Sequence, residues 1–162
     1  MTVMACFGAR KGACDFDFLN GVWNVRHRRL SMRLANDSNW VEFGGTTLVR
    51  PILGGLGNFD KNVIELPSGT YEACTLRLFN PKNGLWSTHW IDGRDPKLDP
   101  PMIGSFKGGT GIFLGDDELE GRKVRVRFLW TGTTTDTPRW EQAFSVQDGG
   151  WETNWIMDFN RA

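Results

Sequence analysis

Polar and apolar residues alternate along most of this chain. From Gly21 onward, Trp23, Val25, His27 and Arg29 share one parity and Asn24, Arg26 and Arg28 the other. That is the period of a strand, whose successive side chains point to opposite faces. The pattern recurs at 40–49, with Trp40, Glu42 and Thr46 on one side, and at 62–66, 71–79, 85–92, 104–114 and 123–131. Turn formers separate the runs: Pro67-Ser68-Gly69, Asn80-Pro81-Lys82-Asn83-Gly84, and Asp116-Asp117 through Glu120-Gly121. Gly54, Gly55 and Gly57 mark a corner, and Lys107-Gly108-Gly109-Thr110-Gly111 reads as a bend within a strand, since no helical pattern follows it. The stretch 139–161 predicts a hairpin about Asp148-Gly149-Gly150, with Trp151, Thr153, Trp155, Met157, Phe159 and Arg161 on one face.

No long helical period interrupts these strands. In Asp15-Phe16-Asp17-Phe18-Leu19 the aspartates are placed to cap a single helical turn, which would act as a plug. Residues 1–14 read as a flexible N-terminal arm and 15–162 as one domain. The one long irregular link, 93–102, holds Pro96, Pro100 and Pro101, and links of this kind often cover a site. About nine or ten antiparallel strands in chain order predict an all-β fold, a single antiparallel up-and-down β-barrel, because closure removes exposed edges. A barrel of that size encloses room for one small ligand.

Composition narrows the partners. Lysine plus arginine and aspartate plus glutamate both number 19, so no global field draws in nucleic acid or an anionic membrane. No run reaches the roughly 18 apolar residues of a membrane helix. The three cysteines, Cys6, Cys14 and Cys74, include no Cys-x-x-Cys pair, which speaks against a disulfide framework or a zinc site. With Arg10-Lys11 after the apolar N-terminal patch, not before it, no secretory signal is read, and a cytoplasmic location is expected.

Gly21-Val22-Trp23 opens the first strand and Arg161 closes the last. This resembles the kernel of the calycin and lipocalin superfamily, in which a first-strand tryptophan at the closed end lies under an arginine from the last strand. The longer strings are Phe16-Asp17-Phe18-Leu19-Asn20-Gly21-Val22-Trp23, Gly54-Gly55-Leu56-Gly57-Asn58, Trp90-Ile91-Asp92-Gly93-Arg94 and Arg139-Trp140-Glu141-Gln142-Ala143-Phe144-Ser145. Together they look like a bacterial family of calycin-like barrels of unassigned function. The resemblance runs from Phe16 to Arg161 and implies the fold; it assigns no activity. The chain departs from it in a short final hairpin and in the lack of an aromatic near Leu114-Gly115.

If Trp23 and Arg161 face inward, parity brings in His27, Arg29, Trp155, Met157 and Phe159, and Trp40 with Glu42 and Trp86 with Trp90 would join them. The ligand-binding candidates are Trp40, Glu42, Arg77, Trp90, Arg127, Trp130 and Trp155, a tryptophan-lined set with few polar groups. The tryptophans suit plain core packing or a stacking platform for a planar ligand. Arg127 and Glu141, each embedded in an apolar strand, suit a structural ion pair or a ligand clamp, and the hairpin register places Glu141 opposite Met157 or Asp158. The acid–base candidates are Glu141, Asp92 and His89, although parity sets His89 opposite to Trp90.

There is no phosphate-binding glycine motif, nucleophile elbow or metalloprotease motif, and no metal or cofactor is expected. Three readings follow. One is a small-molecule-binding barrel for an apolar or planar organic ligand, its polar end oriented by Arg127 and Glu141. Another is a cofactor-independent isomerase, cyclase or lyase acting in biosynthesis on a small organic substrate in the same cavity. A solid-cored structural barrel is the third. The expected partner is a small-molecule ligand or substrate, not nucleic acid or membrane, for a chain acting alone or as a homodimer.

Overall fold

The alternating runs form ten strands: β1 (Gly21–Leu30), β2 (Trp40–Ile52), β3 (Gly57–Leu66), β4 (Gly69–Asn80), β5 (Leu85–Asp92), β6 (Met102–Lys107), β7 (Thr110–Leu119), β8 (Arg122–Thr131), β9 (Arg139–Ser145) and β10 (Glu152–Arg161). The computed structural model describes residues 11–147 and 149–162. Each strand pairs with the next, and β1 pairs with β10, so the sheet is a closed antiparallel up-and-down barrel. The expected architecture is the observed one.

Three local expectations are corrected. The segment 104–114 is not one bent strand but parts of β6 and β7, joined through Gly108 and Gly109 at φ 59° and 80°. Two consecutive left-handed residues make a tight hairpin turn, which is the physical use of the Gly-Gly pair. Likewise β7 runs on through Asp116 and Asp117, and its turn is Glu120-Gly121 alone, at φ 51° and 77°. Earlier in the chain, β3 starts at Gly57 and not at Asn62, so Gly57 belongs to the strand and not to the corner.

The floor of the barrel is built as the tryptophan and arginine pattern predicts. A 3₁₀ turn, Asp17–Leu19, enters the lower end, and its Leu19 carbonyl accepts the indole N–H of Trp23 at 2.7 Å. Arg161 lies 3.7 Å over the Trp23 ring and donates to the carbonyls of Asn20 (2.6 Å) and Phe18 (2.9 Å). The cation–π contact and the two hydrogen bonds tie the last strand to the plug and the first. Phe16 fills the space above, edge-on to Trp86 at 4.9 Å and Phe106 at 4.8 Å.

Part of the expected arm belongs to this floor. Residues 1–10 lie outside the described residues, but residues 11–14 form turns, Ala13 is buried, and the Gly12 carbonyl accepts from the Trp86 indole at 2.9 Å. Cys14 is disulfide-bonded while Cys74 is free. One disulfide, at Cys14, is therefore present where the cysteine spacing spoke against a disulfide framework.

Inside the wall, the His27 imidazole stacks on Phe43 at 4.9 Å and accepts the Trp155 indole N–H at Nδ1, 3.1 Å away. Room for the ring comes from Gly45 on the neighbouring strand. A Cβ there would stand 2.9 Å from His27 Nε2 and 2.5 Å from the Val63 carbonyl oxygen. Gly45→Ala is expected to lose about 1–3 kcal/mol of stability through overpacking, because the carbonyl is backbone and cannot swing aside. Chemical denaturation checks this; an unchanged midpoint would mean that the wall yields.

Candidate functional site

The interior above the floor is hollow. A cavity of about 80 Å³ lies between two unlike walls, one polar on β3 and β4 and one aromatic on β5, β8, β9 and β10. Since a water needs roughly 10–15 Å³ on this scale, the space holds several waters or a small organic group.

The polar wall arises from a reversed alternation on β3. There Asn58, Asp60 and Asn62 point inward and are buried, while Phe59 is exposed. Asp60 Oδ2 meets Arg77 Nη1 of β4 at 2.7 Å, with the two side chains only 2% and 7% exposed. Its Oδ1 accepts from Asn62 Nδ2 at 2.6 Å and from the Thr75 amide at 2.7 Å. Thr47 donates to Asn62 at 2.6 Å, and Arg77 Nη1 also donates to Asn58 Oδ1 at 3.0 Å. The carboxylate is thus fully used, but the guanidinium is not. Arg77 Nε is buried without a hydrogen-bond partner, in a side chain that lines the cavity.

The aromatic wall is Trp90, Phe128, Trp130, Trp140 and Trp155, with Phe159 below. Trp90 and Trp140 meet the Trp155 ring nearly at right angles, at centroid distances of 5.9 and 5.6 Å, and Phe128 leans on Trp140 at 4.9 Å and 60°. The irregular link brings Asp99 and Pro100 to the same cavity, and Asp117 reaches it from β7. The link is tied down where the Asp99 amide donates to the Trp90 carbonyl at 3.0 Å. Burial, and next the nearby Asp117, push the Asp99 carboxyl above its usual range.

Of the residues predicted from the sequence, Arg77, Trp90, Trp130 and Trp155 line the cavity. The others do not. Glu141 pairs with Ile156 and Leu129, and Met157 pairs with Trp140, because the β9–β10 register shifts between Thr153 and Trp155. Of the expected partners, Met157 or Asp158, the first is one residue off, and one residue moves every side chain to the opposite face. Glu141 is therefore on the outer side, and Trp140 and Gln142 take the inner positions.

Arg127 also faces outward, between the cavity residues Val126 and Phe128, with its guanidinium 4.8 Å over Trp151. Among the described ion pairs none joins it to Glu141, so the expected clamp is not formed. Trp40 is exposed and Glu42 pairs outside with Arg26 at 2.8 Å, since Val41, Phe43, Gly45 and Thr47 hold the inner parity of β2. His89 is half-buried on the outer side, next to the Ser87 hydroxyl at 3.2 Å.

Asp92 sits apart from the cavity wall, bonded to Arg94 at 2.7 and 3.0 Å. Burial alone would raise its pKa, but the hydrogen bonds from Arg94 and the charges of Arg94 and Arg29 hold it below the usual carboxylate range. Arg94 covers the Tyr71 ring at 3.8 Å and Arg29 covers Trp155 at 5.1 Å.

The residues that sequence reasoning missed are Asp60, Asn62, Thr75, Asp99, Asp117, Phe128, Trp140 and Gln142. A signal for Asp60 existed: Asn58, Asp60 and Asn62 share parity with Ile64, which is fully buried. Asp99 and Asp117 had none, since one lies in an irregular link and the other read as a turn. Among the described residues no three His, Cys, Asp or Glu side chains group as a metal site, and no helix is long and apolar enough to cross a membrane. Comparison with models of known protein families and with curated proteins found no match to this chain.

Proposed function

We propose that this is a small-molecule-binding barrel of the calycin kind, whose ligand occupies the tryptophan-lined cavity. The observation that carries the reading is the pairing of a hollow interior with a buried, incompletely bonded guanidinium at Arg77. A cavity and an unused buried donor each cost stability, and here the two coincide. The aromatic wall supplies contact area, and Arg77 with Asn62 and Thr75 supplies orientation, the usual division of labour in such sites.

The catalytic alternative rests on other residues than those expected. With Glu141 and His89 outside and Asp92 held by Arg94, the acid–base candidate inside the cavity is Asp99, whose raised carboxyl suits proton transfer to a bound substrate. An isomerase, cyclase or lyase reading would require turnover to fall in Asp99→Asn.

The binding reading is tested by following the tryptophan indole N–H signals while a set of small neutral and charged organic fragments is titrated. Shifts are expected at Trp90, Trp130, Trp140 and Trp155, with Trp40 and Trp151 still. A screen at millimolar concentration that moves none of the four would end the proposal.

A further inference from the structure

The cavity's shape and charge point to a chemical class of ligand, an inference that rests on the binding reading above. The lining rings that touch are not stacked: Trp90–Trp155 and Trp140–Trp155 meet at 86°, Phe128–Trp140 at 60° and Trp130–Phe159 at 40°. Rings set at steep angles form a corner. A corner of π faces, each carrying negative charge at its centre, fits a rounded positive group.

The charges on the lining agree. It carries three carboxylates, Asp60, Asp99 and Asp117, and one guanidinium, Arg77. Arg77 is matched by Asp60 at 2.7 Å, which leaves Asp99 and Asp117. Neither forms an ion pair among the described residues, and Asp117 Oδ1 has only the Glu118 amide, at 2.8 Å. Crowding of two carboxylates next to the aromatic corner is relieved by a cation and worsened by an anion.

The protein's own cations form other ion pairs, Lys97 with Asp95 at 2.7 Å and Arg94 with Asp92 at 2.7 Å, although the charge of Lys97 is also felt at Asp99 and Asp117. Arg29 lies 5.1 Å over Trp155, so one ring of the corner already accepts a positive group. At the polar wall the unbonded, buried Arg77 Nε asks for a hydrogen-bond acceptor.

We propose that the cavity takes a small organic ammonium compound bearing an oxygen, its cationic end among Trp90, Trp140 and Trp155 and answered by Asp99 and Asp117, its oxygen toward Arg77. The probes are choline and its uncharged isostere 3,3-dimethylbutan-1-ol, titrated into the full chain and read by indole N–H shifts and calorimetry. Choline is expected to bind about tenfold more tightly than the isostere, a preference of the size that desolvated cation–π and charge contacts give. The double variant Asp99→Asn/Asp117→Asn is expected to lose most of that preference.

Equal or tighter binding of the isostere to the unmodified chain overturns the cation proposal and leaves the binding reading standing. So does silence from both probes when other fragments shift the four tryptophans. Silence from every compound removes both. The comparison on the unmodified chain decides the matter even where the double variant does not fold.

Discussion

Arg77→Met is expected to destabilise the barrel by about 3–5 kcal/mol, the cost of leaving a buried carboxylate without its cation. Asp60 is 1% exposed, and its bonds from Asn62 and the Thr75 amide are hydrogen bonds from neutral groups, which solvate the charge without cancelling it. Methionine fills the volume and isolates the electrostatic loss. Adding Asp60→Asn is expected to restore most of the stability, because the amide oxygen still accepts from Thr75 and no charge is left buried. Urea unfolding of the single and double variants checks both. A single variant losing less than about 1 kcal/mol would show that the pair is solvated more than its burial indicates.

The second large effect is a loss of stability in mild acid, centred on His27. Burial first, and the charge of Arg29 second, lower its pKa from 6.5 to about 4. The geometry agrees, since Nδ1 accepts the Trp155 indole N–H and so is the unprotonated nitrogen. A histidine whose pKa is lower in the folded state binds its proton more readily when unfolded, so stability rises with pH across this window. Full stability is expected above about pH 6.5, with about 3 kcal/mol lost on going down to pH 4 and levelling below, because each tenfold difference in proton affinity between the folded and unfolded chain is worth roughly 1.4 kcal/mol.

The carboxylates contribute with mixed sign. Asp15, Asp17 and Asp99 are raised, mainly by burial, and lose stability as pH rises; Asp92 is lowered and loses it as pH falls. Between pH 6.5 and 5 the histidine is isolated by comparing the native chain with a variant that lacks it. Denaturation midpoints measured there should fall with pH in the native chain and stay flat in His27→Phe, which starts from a lower plateau because Trp155 loses its acceptor. A native chain that is flat over this window would sink the assignment.

The closed barrel was legible in the alternation along its strands, and its floor in the resemblance of Gly21-Val22-Trp23 and Arg161 to the calycin kernel. Parity along β1 points Trp23 inward, and Arg161 answers it from the last strand. Arg77, Trp90, Trp130 and Trp155 follow from the same parity. What failed was register, which parity does not contain. One irregularity between Thr153 and Trp155 exchanged Glu141 for Trp140 at the cavity wall. On β2, the exposed Trp40 misled because a large apolar residue at a strand end need not face the core. Asp99 and Asp117 were out of reach because their meeting depends on how the 93–101 link lies over β7, a tertiary fact with no local signature.

The seal of Arg161 over Trp23 also says something about the order in which the molecule is made. Arg161 and the Phe18 carbonyl that it grips are 143 positions apart, and β1 finds its second neighbour only in β10. Every other pairing is between successive strands, so hairpins can form as the chain emerges, while the final seam waits for the last segment. Such distant closure places the molecule among slow folders, in the millisecond-to-second range. Until then β1 has one open edge and the floor lacks its lid, so the unfinished chain is the form most exposed to association with its neighbours.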